Sequence, residues 1–314
     1  MIANVKVAII GAGNMAEEHI KAFSDISEMN IVGIHSRTIE KSKKLALKYK
    51  IPNVFDSIID MYNYTTADIV IIAVSELSTK EVCEKAFDFP WICLVEKPAG
   101  YDLNDAEAIA LKARNELRQV FVGLNRRQYS STINVINDLS KSNQTRLIHV
   151  YDQQNPRDAL ALGRPELVVK NWMYANSIHL IDYFKLLGRG KIISVIPIIK
   201  WQPYRPMFVL TKIIFSSGDI GIYEAVWNAP GPWSVSITTQ AKRWELKPLE
   251  KAAFQVYGSR HLEEIQLSDW DINFKPGFRM QAEEMLKALQ GIPHNLVNID
   301  EALDTMRLVK KIYA

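Results

Sequence analysis

Short apolar runs alternate with segments of helical apolar spacing over the first 123 residues. The runs have the length and β-branched content of buried strands. Strands are predicted at 5–10, 31–35, 69–74, 92–95 and 120–122, and helices at 14–24, 39–48, 78–87 and 103–114. Strictly alternating strands and helices form parallel sheets with right-handed crossovers. The pattern therefore predicts an α/β fold that begins with a doubly wound parallel sheet.

The pattern changes after Asn125. Strand-like runs follow one another at 147–151, 192–199, 208–215, 220–227, 234–239 and 254–257, and helical patterns occur at 172–187, 278–289 and 299–312. Consecutive strands joined by turns indicate a mostly antiparallel sheet. We therefore expect a Rossmann domain over residues 1–123 and an α+β domain with an open sheet over residues 124–314.

One face of such an open sheet has to be covered. Trp201, Trp227, Trp233 and Trp244 belong to this sheet region, and they predict either a dimer surface or ordinary core residues. The first alternative implies a homodimer or homotetramer assembled through the open sheet.

The turn after the first strand is rich in glycine. It reads Gly11-Ala12-Gly13-Asn14-Met15-Ala16 and leads into a predicted helix. Gly11 permits the tight turn, Gly13 lets a diphosphate approach the backbone, and Ala16 keeps helix and strand close. The free N–H groups of the helix start attract phosphate. This arrangement predicts dinucleotide binding, although a glycine turn in an ordinary βαβ unit has the same pattern.

The end of the second strand carries Ser36, Arg37 and Thr38 where a carboxylate would read the ribose of NAD(H). A carboxylate there would repel a 2′-phosphate, whereas hydroxyls and a guanidinium would bind one. The sequence therefore favours NADP(H) over NAD(H). The alternative is that Arg37 stacks on adenine whichever cofactor binds.

Bulk composition excludes several classes of protein. The 314 residues are 48% hydrophobic with a net charge of +3, which gives no reason to expect a nucleic-acid partner. No apolar run is long enough for a transmembrane helix, and no signal-peptide pattern is present. Cys83 and Cys93 are expected to be reduced, and the histidines lack metal-ligand spacing. We expect a cytoplasmic protein without a metal site.

The fourth strand of the first domain ends in Glu96-Lys97-Pro98, and Gly123-Leu124-Asn125-Arg126-Arg127 follows the fifth. Ligands of open α/β sheets bind at the carboxyl ends of the strands. A lysine in this position could polarise a substrate oxygen beside a nicotinamide ring. A lone Glu-Lys-Pro sequence is also a common surface turn.

These motifs together resemble the glucose–fructose oxidoreductase / inositol dehydrogenase family (Gfo/Idh/MocA). The resemblance extends to Ile178-His179-Leu180-Ile181-Asp182 and to Lys275-Pro276-Gly277-Phe278. It implies a Rossmann domain, an open-sheet domain, a substrate bound between them, and hydride transfer between a nicotinamide and a sugar or cyclic polyol. It also implies that Lys97 and His179 are the catalytic lysine and the histidine acid/base, and that the Asn125 segment crosses between domains.

Two departures affect this implied site. Ala175 stands where the family commonly has an aspartate, and Ser75–Thr79 replaces a common Pro-Asn and histidine run. On a helix, Ala175 and Asn176 share a face with His179. Asn176 is therefore expected to position the substrate, since an amide cannot act as an acid. Tyr174 is a second positioning candidate, and it could also donate a proton if the backbone turns it inward.

The expected site residues fall into two groups. Those for the cofactor are Gly11, Gly13, Asn14, Met15, Ala16, Ser36, Arg37, Thr38, Val74, Ser75, Glu96, Lys97 and Asn125. Those for the substrate are Arg126, Tyr129, Trp172, Tyr174, Asn176 and His179. The function expected is that of an NADP(H)-dependent oxidoreductase acting on CH–OH groups of a carbohydrate, including nucleotide- and amino-sugars. The alternatives are a non-catalytic NADP(H)-binding regulator or sensor, and an enzyme acting on a non-sugar carbonyl.

Overall fold

A computed structural model describes residues 4–314, which divide into two compact units. The first unit runs to Asn125 and also includes Asn273–Leu303. The second comprises Arg126–Ile272 and Asp304–Ala314. The first three residues of the expected first domain lie outside the described residues.

Strands and helices alternate up to Asn125, as expected. The strands are β1 (Val5–Ile10), β2 (Met29–His35), β3 (Val54–Phe55), β4 (Ile69–Ile72), β5 (Ile92–Val95) and β6 (Val120–Val122). The helices are α1 (Asn14–Ser24), α2 (Ile39–Tyr49), α3 (Ile58–Thr65), α4 (Thr79–Ala86) and α5 (Leu103–Asn115).

After Asn125 the chain forms a second series of strands and helices. The strands are β7 (Leu147–Gln154), β8 (Ile192–Ile199), β9 (Phe208–Phe215), β10 (Ile220–Trp227), β11 (Ser234–Thr238), β12 (Lys242–Leu246), β13 (Ala252–Val256), β14 (Glu263–Glu264) and, later, β15 (Val297–Asn298). The helices are α6 (Ser130–Leu139), α7 (Pro156–Ala161), α8 (Glu166–Lys170), α9 (Ile178–Leu187), α10 (Asp269–Asn273), α11 (Phe278–Leu289) and α12 (Ile299–Ile312).

The first unit has the predicted doubly wound sheet. Its strand order is β15-β6-β5-β4-β1-β2-β3, and every neighbouring pair is parallel except β15 with β6. The direction of the strand order reverses between β1 and β4, which in open α/β sheets is the ligand-binding crevice. Strand β1 is almost wholly buried, and Ala16, Ile20 and Phe23 of α1 pack into the same core.

The second unit also has the predicted architecture. Its sheet has the order β14-β13-β12-β11-β7-β10-β9-β8, in which only the pair β7 and β10 is parallel. Alternation along each strand buries one face, with Ile148, Val150 and Tyr223 at no exposure. Helix α9, most of whose residues are buried, contacts β7.

The chain crosses between the two units more than once, whereas a single boundary at residues 123/124 was expected. Residues 273–303 were expected in the second domain, but they belong to the first unit. Helix α11 packs against α1, and Val297 of β15 pairs with Val122 of β6. Such long-range pairing leaves no local signal in the sequence.

Of the four tryptophans assigned to the open sheet, Trp227 and Trp244 are buried core residues within the unit. Trp201 and Trp233 remain half-buried. The opposite face of the sheet presents half-buried apolar side chains such as Ile214, Ile222 and Tyr151 beside the polar side chains of its neighbouring strands.

Candidate active site

The residues expected to bind the cofactor follow the carboxyl ends of β1, β2, β4, β5 and β6. Because these strands run parallel, their carboxyl ends share one edge of the sheet. The residues at this edge are Gly11, Gly13, Asn14, Met15, Ala16, Ser36, Arg37, Thr38, Val74, Ser75, Glu96, Lys97 and Asn125. Strand β4 ends at Ile72 rather than at the expected residue 74, so Val74 and Ser75 belong to the loop.

The glycine turn has two positions with opposite surroundings. Gly11 has φ 122°, and a Cβ there would lie 2.0 Å from the carbonyl oxygen of Ala73. A Cβ on Gly13 would meet no atom within 4 Å. Gly11 is thus required by the fold, whereas the space over Gly13 is open. Gly13 precedes α1 without a side-chain cap, so the first N–H groups of this helix have no side-chain acceptor from their N-cap.

The corner after β2 is only partly available to a ligand. The Ser36 hydroxyl donates to the carbonyl oxygen of Thr38 at 2.8 Å and accepts from Ser42 at 2.8 Å. Arg37 and Thr38 are exposed. Arg37 is therefore an accessible cation at this corner. Together with Lys85, whose effect is larger, its charge lowers the pKa of Glu81.

Glu96 is held by a residue that the sequence analysis did not single out. His19 of α1 is fully buried, and its Nε2 lies 2.7 Å from Glu96 Oε1. The backbone N–H of Lys97 donates to Glu96 Oε2 at 3.2 Å. Burial raises the pKa of Glu96, but His19 and Lys97 outweigh that effect and lower it below its usual value.

Phe278 completes this arrangement from α11. Its ring centroid lies 4.6 Å from that of His19. The neighbouring Pro276 accepts a 3.0 Å hydrogen bond from the amide of Asn125. The Lys275–Phe278 motif therefore packs within the first unit against the helix and loops that carry the expected cofactor residues.

The second unit gathers several expected substrate residues around Trp233. The Arg126 guanidinium lies 5.2 Å from the Trp233 ring centroid and 5.9 Å from that of Tyr129. The imidazole of His179 lies 6.4 Å from Trp233. The Trp233 indole N–H donates to the carbonyl oxygen of Gln153 at 2.7 Å, which orients the ring. Trp233 was expected only as a residue of the sheet region, because no motif marks it.

The helix expected over residues 172–187 does not begin as an α-helix. Met173–Ser177 forms a π-helical turn, and α9 follows at Ile178. The expected facing of Ala175 and Asn176 toward His179 assumed α-helical spacing, which this turn does not have, so the shared face stays a prediction. Ala175 is 4% exposed, whereas Trp172, Tyr174 and Asn176 are half-buried. In the described part of the chain, the buried indole N–H of Trp172 has no hydrogen-bond partner.

Asp182 of the Ile178–Asp182 motif has a structural set of partners. Arg127 donates to its two oxygens at 2.6 and 2.7 Å, and Thr305 donates to one of them at 3.0 Å. The carboxylate is 3% exposed. The bidentate ion pair joins the segment after β6 to α9, and the Thr305 hydrogen bond joins α9 to α12, all within the second unit.

Between residues 4 and 314, no helix combines the length and the apolar content needed to cross a membrane. Across those same residues, no group of three or more His, Cys, Asp or Glu side chains is placed to hold a metal ion.

Comparison with known proteins agrees with the fold of the first unit. Residues 5–124 match the family GFO_IDH_MocA, described as an oxidoreductase family with an NAD-binding Rossmann fold. The resemblance drawn from the motifs is thereby confirmed over this region of the chain.

Solved structures share the fold over nearly the whole chain. An aldose–aldose oxidoreductase from Caulobacter crescentus is 18% identical with a TM-score of 0.81, covering 99% of this chain and 96% of the other. A UDP-N-acetylglucosamine 3-dehydrogenase from Acidithiobacillus ferrooxidans is 16% identical with a TM-score of 0.78, covering 99% and 97%. At these identities the likeness establishes the α/β Rossmann domain and the second sheet domain.

A sequence relative is known from Sphingobium. It is a 4-carboxy-2-hydroxymuconate-6-semialdehyde dehydrogenase, 24% identical over 195 residues, or 60% of this chain. The match spans 61% of the length of that relative.

Proposed function

We propose that this protein is an NADP(H)-dependent oxidoreductase that transfers a hydride between the nicotinamide and a CH–OH group or ketone of a carbohydrate. Nucleotide- and amino-sugars are the substrate class we favour. The observation that carries the proposal is the placement of Lys97 and the glycine turn on one edge of the Rossmann sheet. The match of residues 5–124 to a family of NAD-binding oxidoreductases supports the reaction class.

The residues at this edge fit a dinucleotide. The open space over Gly13 and the uncapped start of α1 suit a diphosphate, because helix N-termini offer N–H donors and a positive dipole end. Bound here, the nicotinamide would supply the hydride acceptor or donor. Val74, Ser75 and Asn125 complete the loops that would hold the cofactor.

The preference for NADP(H) rests on Arg37. This exposed guanidinium follows β2 in a corner without a carboxylate at residues 36–38. A guanidinium pairs with a phosphate in bidentate fashion, whereas a carboxylate in its place would repel the phosphate. Ser36 would have to give up its bond to the Thr38 carbonyl before donating to the phosphate.

Lys97 and His179 are assigned to the proton chemistry. Oxidation of an alcohol requires removal of the hydroxyl proton as the hydride leaves carbon. The Lys97 ammonium would stabilise the developing negative charge on that oxygen, and His179 would accept or return the proton. Arg126, Tyr129, Trp172, Tyr174 and Asn176 are proposed to bind the substrate.

The carbohydrate class is supported by aromatic and cationic side chains in the second unit. Arg126, Tyr129 and Trp233 form a cluster in which ring faces and a guanidinium lie together. Such groups suit a sugar face and a phosphate. The similar structure from Acidithiobacillus ferrooxidans is that of a UDP-N-acetylglucosamine 3-dehydrogenase, so this compound is the first substrate to test.

The deciding experiment combines cofactor binding with turnover. The wild type and Lys97→Ala are titrated with NADPH by fluorescence and assayed on UDP-N-acetylglucosamine and a panel of aldoses. We expect NADPH binding within about threefold of wild type and a fall in kcat of at least about 100-fold. Lys80→Ala, whose lysine pairs with Asp105 at 3.6 Å, is the matched control and should retain activity.

A non-catalytic NADP(H)-binding regulator or sensor is the second candidate. The buried Ala175 favours it, because no carboxylate stands at that position. Tight NADPH binding without hydride transfer to any member of the panel would favour this function over the enzyme. Equal turnover by wild type and Lys97→Ala would overturn the role assigned to Lys97.

The assembly that we propose follows from the second sheet, whose half-buried apolar face suits a homodimer or homotetramer. A cytoplasmic location is proposed because Cys83 and Cys93 are both free thiols. Sedimentation of the purified protein at micromolar concentration tests the assembly, and a monomer throughout that range would contradict it.

A further inference from the structure

Strand β7 places two polar side chains on the buried face of the second sheet. Asp152 and Gln154 alternate with Ile148 and Val150, and neither polar residue has any exposure. A buried carboxylate is strongly unfavourable unless it is hydrogen-bonded. The bonds it makes therefore constrain the groups around it.

Each oxygen of Asp152 accepts a hydrogen bond, and Ser177 is a third side-chain donor to this carboxylate. The Tyr223 hydroxyl donates to Oδ2 at 2.7 Å, and Gln154 Nε2 donates to Oδ1. Tyr313 lies 2.7 Å from the Tyr223 oxygen and must donate to it, because the Tyr223 proton is already directed at the carboxylate. At the other end, Asn176 Nδ2 donates to Gln154 Oε1 at 2.8 Å.

This chain of bonds has one direction. An ionised carboxylate accepts and never donates, so Gln154 must turn its NH₂ toward Asp152 and its carbonyl toward Asn176. Asn176 must then use its own NH₂ on Gln154. Its Oδ1 is left as an acceptor with no protein partner in residues 4–314, and the side chain is half-buried.

Asn176 occupies a distinctive place in the second unit. It lies in the π-helical turn Met173–Ser177, three residues before His179. Turns of this kind recur at functional sites. The adjacent Ala175 can neither accept a hydrogen bond through its side chain nor carry charge. An amide oxygen with a fixed orientation therefore stands next to the position where a carboxylate is absent.

We propose that Asp152 acts through Gln154 as a positioning residue, holding the Asn176 amide with its oxygen directed to accept a hydrogen bond from a substrate hydroxyl. This inference rests on the proposed function, because it takes Asn176 to be a substrate-binding residue. The substrate class that it favours carries a hydroxyl next to the reacting carbon. A carbonyl or ether oxygen at that place cannot donate, so it could not form a hydrogen bond with the Asn176 amide oxygen.

Protonation of Asp152 should weaken this arrangement. Burial raises the pKa of Asp152 to about 6, against the opposing effects of hydrogen bonds from Tyr223, Ser177 and Gln154 and of the Arg126 charge. The protonated acid has to donate to one neighbour, so it no longer holds the amides in a single direction. Tyr223 and Tyr313, the tyrosines of this cluster, both have their pKa raised chiefly by burial and do not ionise near pH 6.

Side-chain amide NMR tests the chain of bonds without substrate or cofactor. In ¹⁵N-labelled protein, the NH₂ signals of residues 154 and 176 are assigned from their loss in Gln154→Glu and Asn176→Asp. We expect both signals to shift with one common midpoint near pH 6 and Asp152→Asn to abolish the shift. Asp219→Asn is the matched control, since Asp219 is a buried carboxylate in the turn between β9 and β10 and is bound by Arg146 and Arg189 instead. Absence of a common titration, or its persistence in Asp152→Asn, would overturn the proposal.

Kinetics on UDP-N-acetylglucosamine test the second step. Loss of one oriented hydrogen bond should raise KM about fivefold in Asp152→Asn and in wild type below pH 6, while kcat changes less than about twofold. The double variant Asp152→Asn/Asn176→Asp returns an acceptor to position 176 and should recover KM at pH 7. An unchanged KM in Asp152→Asn would overturn the inference. A common amide titration without any turnover would support the chain of bonds and count against the proposed substrate class.

Discussion

The His19 imidazole lies 2.7 Å from the carboxylate of Glu96, and both side chains are buried in the first unit. The contact joins the first helix of the Rossmann fold to the loop that carries Lys97. The same carboxylate accepts the Lys97 backbone N–H at 3.2 Å. His19 therefore fixes the conformation of the loop from which Lys97 extends, although it stands 78 positions earlier in the chain.

His19→Ala should destabilise the protein markedly. The substitution leaves the Glu96 carboxylate buried without its partner and removes the ring packed on Phe278 at 4.6 Å. Breaking a buried pair from one side typically lowers the free energy of unfolding by about 3 kcal/mol. Urea denaturation at pH 7 measures the change. The double variant His19→Ala/Glu96→Gln should recover part of the loss, whereas equal losses in both would contradict the assigned pairing.

The sequence predicted the elements of the first unit well, because buried parallel strands and glycine turns leave local signals. Strand β1 and helix α1 have the predicted bounds. Helix α3 was missed, since Tyr62, Asn63 and Tyr64 interrupt its apolar pattern and weaken helix propensity. Strand β12 was missed because three of its five residues are charged. Only Trp244 and Leu246 are buried, which is too short an alternation to indicate a strand.

The site was less predictable where it depends on contacts distant in sequence. His19 pairs with a residue on another strand loop, and no spacing rule connects them. Asp152 and Gln154 did leave a signal, because alternation along β7 places them on the face of Ile148 and Val150. Polar residues at inward positions of a strand indicate a buried hydrogen-bond network. The joining of residues 273–303 to the first unit depends on tertiary packing alone.

The two glycines of the first turn should respond differently to alanine. In Gly11→Ala the new Cβ would lie 2.0 Å from a backbone oxygen at φ 122°, so we expect a loss of at least about 2 kcal/mol in unfolding free energy. In Gly13→Ala the new Cβ has no atom within 4 Å, so the free energy of unfolding should change by less than about 1 kcal/mol. The Kd for NADPH should nevertheless rise about tenfold or more in Gly13→Ala. Wild-type affinity in that variant would contradict a diphosphate at this turn.

Arg37→Ala should change the choice of cofactor rather than cofactor binding as a whole. A charge-assisted hydrogen bond contributes about 1.5–3 kcal/mol, so the Kd for NADPH should rise about 10- to 100-fold. The Kd for NADH should change less than about threefold. Titration of both reduced cofactors by fluorescence measures the two constants. Lys43→Ala, at an exposed pair with Glu40 on α2, is the control and should leave both unchanged. Tighter binding of NADH than of NADPH by wild type would reverse the proposed preference.

Asp152 should make the stability of the wild type depend on pH with an unusual sign. Burial raises its pKa to about 6, whereas an unfolded aspartate titrates near 3.9. Between these values the folded chain binds the proton more tightly, so stability falls as pH rises, by about 3 kcal/mol in total. Asp152→Asn should lack this component. Urea denaturation from pH 4 to 7 measures the unfolding free energy of both proteins. Carboxylates with a lowered pKa, such as Asp219, contribute equally to both and cancel in the difference. Parallel curves would show that Asp152 does not hold its proton in the folded state.

Lys97→Ala and His179→Ala should not have independent effects on turnover. If the lysine stabilises charge on the oxygen whose proton the histidine takes, each contributes to the same transition state. Each substitution should lower kcat by about 10²- to 10⁴-fold, and the double variant should fall well short of the product of the two factors. The assay uses saturating NADPH or NADP⁺ with whichever member of the carbohydrate panel the wild type converts. Lys97→Arg retains the charge but not the compact ammonium, so it should recover only part of the activity. Multiplicative effects in the double variant would mean that the two residues serve separate steps, and the role of His179 as the partner of Lys97 would have to be abandoned.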